Sequence, residues 1–210
     1  EAGEQSKNLA SVQAVWDFLL QHRATREALL INLGGGMITD LGGFAAATYM
    51  RGIRFVNIPT TLLAMVDASS GGKTGIDYNG IKNGIGTFTQ PLATLIHPNF
   101  LRTLPATELL SGFAEMLKHA LIASPEEWIR LLQLAQEELP QAQFVAALSE
   151  RGLLHNSIAI KEQVVAQDPR EAGMRKILNF GHTIGHAIES AALENSLQPS
   201  TFNLQPTPSH

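Results

Sequence analysis

Residues 28–33 read ALLINL, a nearly unbroken apolar run that stops at Gly34-Gly35-Gly36. A strand this apolar needs cover on both faces, as inside a parallel sheet. Its flanks agree with that reading. Upstream, 11–22 places Val12, Val15, Trp16, Leu19 and Leu20 at helical spacing; downstream, 36–50 is helical and 54–58 is a second apolar run ending at Pro59. Residues 92–97 read as one more strand. Strands that alternate with helices imply a parallel sheet with helices packed on it, so the expected class is α/β with a Rossmann-like sheet.

Beyond this unit the texture changes twice. Residues 59–91 are rich in Thr, Ser, Gly, Asp, Lys and Asn; a stretch this long without clear secondary structure is either a functional loop region or holds elements that the pattern does not show. From Pro105 onward the pattern is helical: 107–122, then 126–139 after Pro125, then 143–167 with Phe144, Leu148, Leu154, Ile158 and Val165, then a last helix around 182–193. The switch at Leu104 and Pro105 divides the chain into a partial α/β domain at 1–104 and a partial all-helical domain at 105–194. The stretch 195–209 has no charge and no clear period, so 195–210 is expected to be unstructured or non-native.

Composition removes several functional classes. The net charge of −4 comes with no run of Lys or Arg, which argues against a nucleic-acid partner. Without cysteine, any metal must sit on His, Asp or Glu. No apolar stretch approaches the roughly 20 residues of a membrane helix, and the expected setting is the cytoplasm.

Four constellations carry chemistry. Glycines 34–36 at a strand end let backbone N–H groups approach a pyrophosphate at a helix N-terminus; three glycines are also a plain tight turn. The segment TTLLAMVDASSGGKTG, followed by Lys82 and Asn83, ends in GGKT, but Asp67 stands where the first glycine of a Walker A loop belongs, so that reading is excluded. A loop with two lysines, Asp67 and several hydroxyls suits a polyhydroxylated phosphate ester, or is a solvated surface loop. Glu108, Glu115 and Lys118 share one helix face, either a polar stripe among Phe113, Met116, Leu117 and Leu121 or an ordinary salt-bridged surface. His182 and His186, four apart, have a spacing found in metal sites and in ordinary buried pairs. His22, His97, His119, His155 and His210 lack ligand spacing and read as structural or exposed.

Taken in order, GGGMITDLGGFAAATYMRGIRFVNIPTTLLAMVDASSGGKTGID, KNGIGTFTQP, SGFAEMLKH and LNFGHTIGHAIE resemble the 3-dehydroquinate synthase family over 3–189. The resemblance implies NAD held by Glu4 and Lys7 of a GExxK pattern, by Gly35, Gly36 and Asp40, by Thr60, Thr61 and Leu63, and by Lys82, Thr103 and Glu108. It implies Glu115 and His182 as ligands of zinc, or of another divalent metal such as cobalt. It also implies catalytic positions for Asp67, Lys73, Lys118, Asn179 and His186, with Arg51, Asn83, Lys161, Glu171 and Arg175 binding the sugar phosphate. His186, which spacing offered as a metal ligand, becomes a substrate group on this resemblance.

The implied activity is conversion of 3-deoxy-D-arabino-heptulosonate 7-phosphate to 3-dehydroquinate and phosphate by transient oxidation with NAD, phosphate elimination, reduction and aldol closure, in the shikimate pathway. A homodimer is the implied state of the whole protein. Rival readings are another sugar-phosphate cyclase such as a 2-deoxy-scyllo-inosose synthase, a glycerol-dehydrogenase-like enzyme, or an inactive remnant. The family's third zinc ligand lies in an HGEAVA-like segment that 190–210 does not contain, and the family's first strands precede GExxK. The chain is therefore expected to be truncated at both ends and inactive alone.

Overall fold

The computed structural model describes residues 3–181 and Gly185. Helix α1 (Leu9–Gln21) starts at Asn8, whose side chain accepts a hydrogen bond from Ser11 N at 3.0 Å, and it buries Val12 and Leu19. Strand β1 (Leu29–Gly34), helix α2 (Gly36–Thr48) and strand β2 (Arg54–Pro59) follow. β1 and β2 pair in parallel from Leu29 opposite Arg54 to Gly34 opposite Pro59. β5 (Ala93–Thr94) joins the other side of β2, also in parallel, so the order is β1-β2-β5. The parallel sheet expected from the apolar runs is present, although only two residues of 92–97 pair.

Helix α2 can lie close to β1 because Gly42 has no side chain. A Cβ there would stand 2.0 Å from Asn32 Oδ1. Asn32 Nδ2 donates to Asn57 Oδ1 (2.9 Å) and Asn57 Nδ2 donates to Ser69 O (3.1 Å), so a buried amide chain ties β1 and β2 to the segment carrying Asp67.

Two expectations need correction. The polar stretch 59–91 is not a loop: it contains a π-helical segment, Ala64–Ala68, and an antiparallel hairpin of β3 (Lys73–Tyr78) and β4 (Ile81–Phe88). Asn79 (φ 49°) and Gly80 (φ 78°) make its turn, with the two positive φ values that favour Asn-Gly. The pattern hid the hairpin because β4 is exposed along nearly its whole length and so has no apolar alternation. Residues 143–167 form two helices, α5 (Gln141–Glu150) and α6 (Leu153–Gln167), separated where Gly152 takes a left-handed φ of 72°. The helix expected around 182–193 lies, apart from Gly185, outside the described residues.

A 3-10 segment, Pro98–Thr103, leads from strands to helices α3 (Ala106–Ala123) and α4 (Pro125–Gln136). The largest core cluster crosses that point. It joins Leu62, Met65, Val66 and Leu101 to Phe113, Met116, Leu131, Leu134, Leu148 and Leu153. Gly112 permits a close approach, since a Cβ there would lie 2.4 Å from Leu63 N. The polar face of α3 is thereby brought beside the segment carrying Asp67. Among the described residues, no helix is long and apolar enough to cross a membrane.

Candidate functional site

Asp67 sits in the π-helical segment, a local widening common at functional positions. Lys161, from α6, places Nζ 2.6 Å from Asp67 Oδ1, and also donates to Asp67 O and to Ser70 O (3.2 Å). Burial is the largest influence on Asp67 and opposes its ionisation, but the charge and hydrogen bond of Lys161, with Lys118 and His119, together outweigh it and hold the carboxyl below its ordinary value. Burial in turn pushes the Lys161 ammonium down. Arg175 is buried too; it donates to Pro169 O (2.7 Å) and Gly71 O (3.1 Å), fastening the glycine loop to the segment Met174–Asn179.

On α3, Lys118 Nζ lies 2.5 Å from Glu115 Oε1 and donates to Leu178 O at 2.5 Å. His119, fully buried, has Nε2 3.2 Å from the same Oε1 and Nδ1 2.9 Å from Ser157 Oγ. Burial works against ionisation of Glu115, while the His119 imidazole and the Lys118 ammonium favour it and leave the carboxyl below its ordinary value. Asp67, Glu115 and His119 each offer a ligand atom, and these atoms lie within 4.8 Å of one another. Glu115 Oε1 and His119 Nε2 are buried without an aligned hydrogen bond, and the carboxylate of Glu115 suits a divalent cation. His119 was absent from the sequence-based candidates; its i,i+4 spacing from Glu115 was the available signal.

Along the hairpin, Lys73 pairs with Glu171, and Asn179 Nδ2 donates to Glu171 Oε1 at 2.5 Å. Burial raises Glu171, but Lys73 and Asn179 more than offset it. Toward α1, Lys7 Nζ bonds Asp40 Oδ2 (2.7 Å) and Asn83 Oδ1 (2.6 Å), with Glu4 Oε1 at 3.6 Å. Burial holds Asp40 above its ordinary value despite that ammonium. Gly35 caps α2 with its Cα facing Thr61, where a Cβ would meet Cγ2 at 3.0 Å, and a Cβ on Gly36 would meet Ala68 at 3.0 Å. Thr60 N donates to Gly34 O (2.9 Å), and Thr61 Oγ1 accepts from Ala64 N (3.1 Å).

These elements enclose a cavity of about 540 Å³ that brings together Asp40, Asp67, Lys73, Asn83, Lys118, Lys161, Glu171, Arg175 and Asn179. An adjoining recess shares Lys118 and adds Glu115 and Leu63. Arg51, Lys82, Thr103 and Glu108 are exposed and line neither space. Arg51 follows Met50 in two consecutive left-handed conformations, φ 71° and 47°. His182 and His186 lie outside the described residues.

The parallel sheet with its glycine turn and the helices joined to it through one core make up a fold shared with solved sugar-phosphate cyclases. It superposes with TM-score 0.79 and 34% identity on a 2-epi-5-epi-valiolone synthase from Streptomyces hygroscopicus with NAD+ and Zn2+ bound, over 92% of this chain and 53% of that one. A 2-deoxy-scyllo-inosose synthase complexed with carbaglucose-6-phosphate, NAD+ and Co2+ gives 0.77 and 26%, over 91% and 52%. Residues 1–111 match the family model described as 3-dehydroquinate synthase N-terminal, and 112–198 the C-terminal one. The chain belongs to the 3-dehydroquinate synthase family. It is 50% identical over 190 residues to the 3-dehydroquinate synthase of Parabacteroides distasonis, covering 90% of this chain and 52% of that protein, so it spans about half the length of the curated relatives it matches.

Proposed function

We propose that this chain supplies most of the sugar-phosphate cavity of a 3-dehydroquinate synthase, acting on 3-deoxy-D-arabino-heptulosonate 7-phosphate. The observation that carries the reading is convergence: residues from the sheet half, the hairpin and three helical segments meet in one space of about 540 Å³. When bound, NAD supplies a reversible hydride acceptor and a divalent cation supplies Lewis acidity at the sugar hydroxyls. Glu115 would hold the cation, together with His182 on the family resemblance, and the turn at Gly35 and Gly36 would receive the pyrophosphate.

The chain's own groups then have distinct tasks. Lys161, meeting Asp67 at Oδ1, helps keep it ionised, so the carboxylate can accept a substrate hydroxyl. Lys73, about half exposed, and Lys118 offer charge-assisted bonds to an anionic ester. Arg175 acts from beneath by holding Gly71 O, which fixes the loop above it. Residues 1–104 form the cofactor half of this scheme and 105–194 the metal and substrate half, in a cytoplasmic enzyme that is a homodimer at full length.

The reading is favoured over 2-deoxy-scyllo-inosose synthase because identity to 3-dehydroquinate synthases is near half while identity to that cyclase is 26%. The test uses a protein carrying this chain at the length of its relatives, here called the full-length protein. Phosphate release is followed with NAD and Zn2+ on the heptulosonate phosphate, on other sugar phosphates and beside simple alcohol oxidation. Preferential release from the heptulosonate is expected, with none from the 210-residue chain alone; preference for another sugar phosphate, or net alcohol oxidation, would refute it.

A further inference from the structure

His119 is fully buried, and its Nε2 makes no hydrogen bond of good geometry. An unsatisfied buried donor or acceptor costs about 1–3 kcal/mol, so a plain core position would favour an apolar side chain. What Nε2 faces is Glu115 Oε1, at 3.2 Å. The other ring nitrogen meets Ser157 Oγ at 2.9 Å, and Ser157 is itself 3% exposed. If the hydroxyl donates to Nδ1, the ring hydrogen must reside on Nε2, the nitrogen toward the carboxylate. Lys118 Nζ approaches the same Oε1 at 2.5 Å. The ammonium and the imidazole therefore converge on one oxygen, Oε1.

We propose that His119 is a positioning residue for Glu115: braced by Ser157, it fixes the carboxylate so that Oε2 is presented to a divalent cation. This rests on the reading of Glu115 as a metal ligand given above. Partners of this kind set ligand orientation without touching the metal, and their loss weakens metal binding by about 10–100-fold.

The test measures Zn2+ and Co2+ dissociation constants of the full-length protein by competition with a chromophoric chelator, alongside the visible spectrum of the Co2+ form. His119→Leu deletes the ring nitrogens at similar volume and is expected to weaken binding by about 10–100-fold with the Co2+ bands unmoved. His119→Gln keeps an N–H donor and should stay within about threefold of wild type, and Ser157→Ala, which frees the tautomer, should fall between them. Denaturant unfolding of the metal-free proteins identifies folded variants; if the Leu form does not fold, Ser157→Ala carries the test. Wild-type affinity in folded His119→Leu, or in Ser157→Ala, overturns the proposal, and so does a displaced Co2+ band pattern, which would make His119 a direct ligand. A wild-type protein that takes up neither metal overturns the cofactor reading and this proposal with it, whereas the other outcomes leave that reading standing.

Discussion

Replacing Lys7 with methionine keeps the aliphatic stem and deletes an ammonium that is 4% exposed and lies 2.7 Å from Asp40 Oδ2. Asp40, 20% exposed, already has its pKa raised by burial with Lys7 in place. Removing one partner of a buried pair costs about 3–5 kcal/mol; since Asp40 retains some water, about 3 kcal/mol is expected. With a urea slope of about 1–3 kcal/mol per M, the unfolding midpoint should fall by about 1–3 M. The deficit must also depend on pH. A raised carboxyl pKa gives a contribution that is complete below the unfolded value of 3.8 and is lost as pH rises through the folded value. Without Lys7 the folded value climbs further, so the deficit should be largest near about pH 8 and shrink toward about pH 5 as Asp40 takes up a proton. Asp40→Asn in the Lys7→Met background should restore most of the loss. Urea unfolding of the full-length protein followed by tryptophan fluorescence reads all of this; a deficit below about 1 kcal/mol, or one that does not change with pH, would refute the reasoning.

Gly42→Ala should destabilise the fold by about 2–3 kcal/mol in the same assay despite the helix preference for alanine, because the new methyl displaces the Asn32 amide from Asn57; a loss under about 1 kcal/mol would contradict the close approach. Arg175→Lys cannot bridge Pro169 O and Gly71 O together, so turnover should drop by about tenfold and the loop at Gly71 and Gly72 should be cleaved faster by protease; unchanged cleavage would count against the clasp. Glu171 has its pKa held down by Lys73 and Asn179 against burial, so its contribution is present above about pH 4.5 and lost as pH falls through the folded value. Glu171→Gln should therefore be less stable than wild type near neutrality and converge with it in acid, as measured by denaturant unfolding at several pH values.

Sequence pattern revealed the parallel sheet through the apolar runs of β1 and β2, although the cover expected on both faces is missing from β1, where Leu29, Ile31 and Leu33 are exposed; it placed α3 and α4 through their apolar spacing. It missed the β3–β4 hairpin because an exposed strand such as β4 carries no core alternation, although Asn79-Gly80 was a turn signal in plain view. It fused α5 and α6 because both sides of Gly152 keep helical spacing and only a left-handed φ breaks them. Within the site, the lysines and Asp67 were legible as chemistry-bearing residues, but their pairing was not. That Lys161 reaches Asp67 across 94 positions, or that Lys7 reaches Asp40, depends on how α6 and α1 pack, which no local period encodes.

In the function proposed above, the cavity between the hairpin and α3, α6 and Met174–Asn179 receives the sugar phosphate. Its most direct test is a crystal structure of the full-length protein with NAD, a divalent cation and a non-cleavable phosphonate analogue of the heptulosonate. The phosphonate is expected within hydrogen-bond reach of Lys73 or Lys118, with a ring-carbon hydroxyl on Asp67. An analogue bound elsewhere, with Asp67, Lys73 and Lys118 untouched, would contradict it.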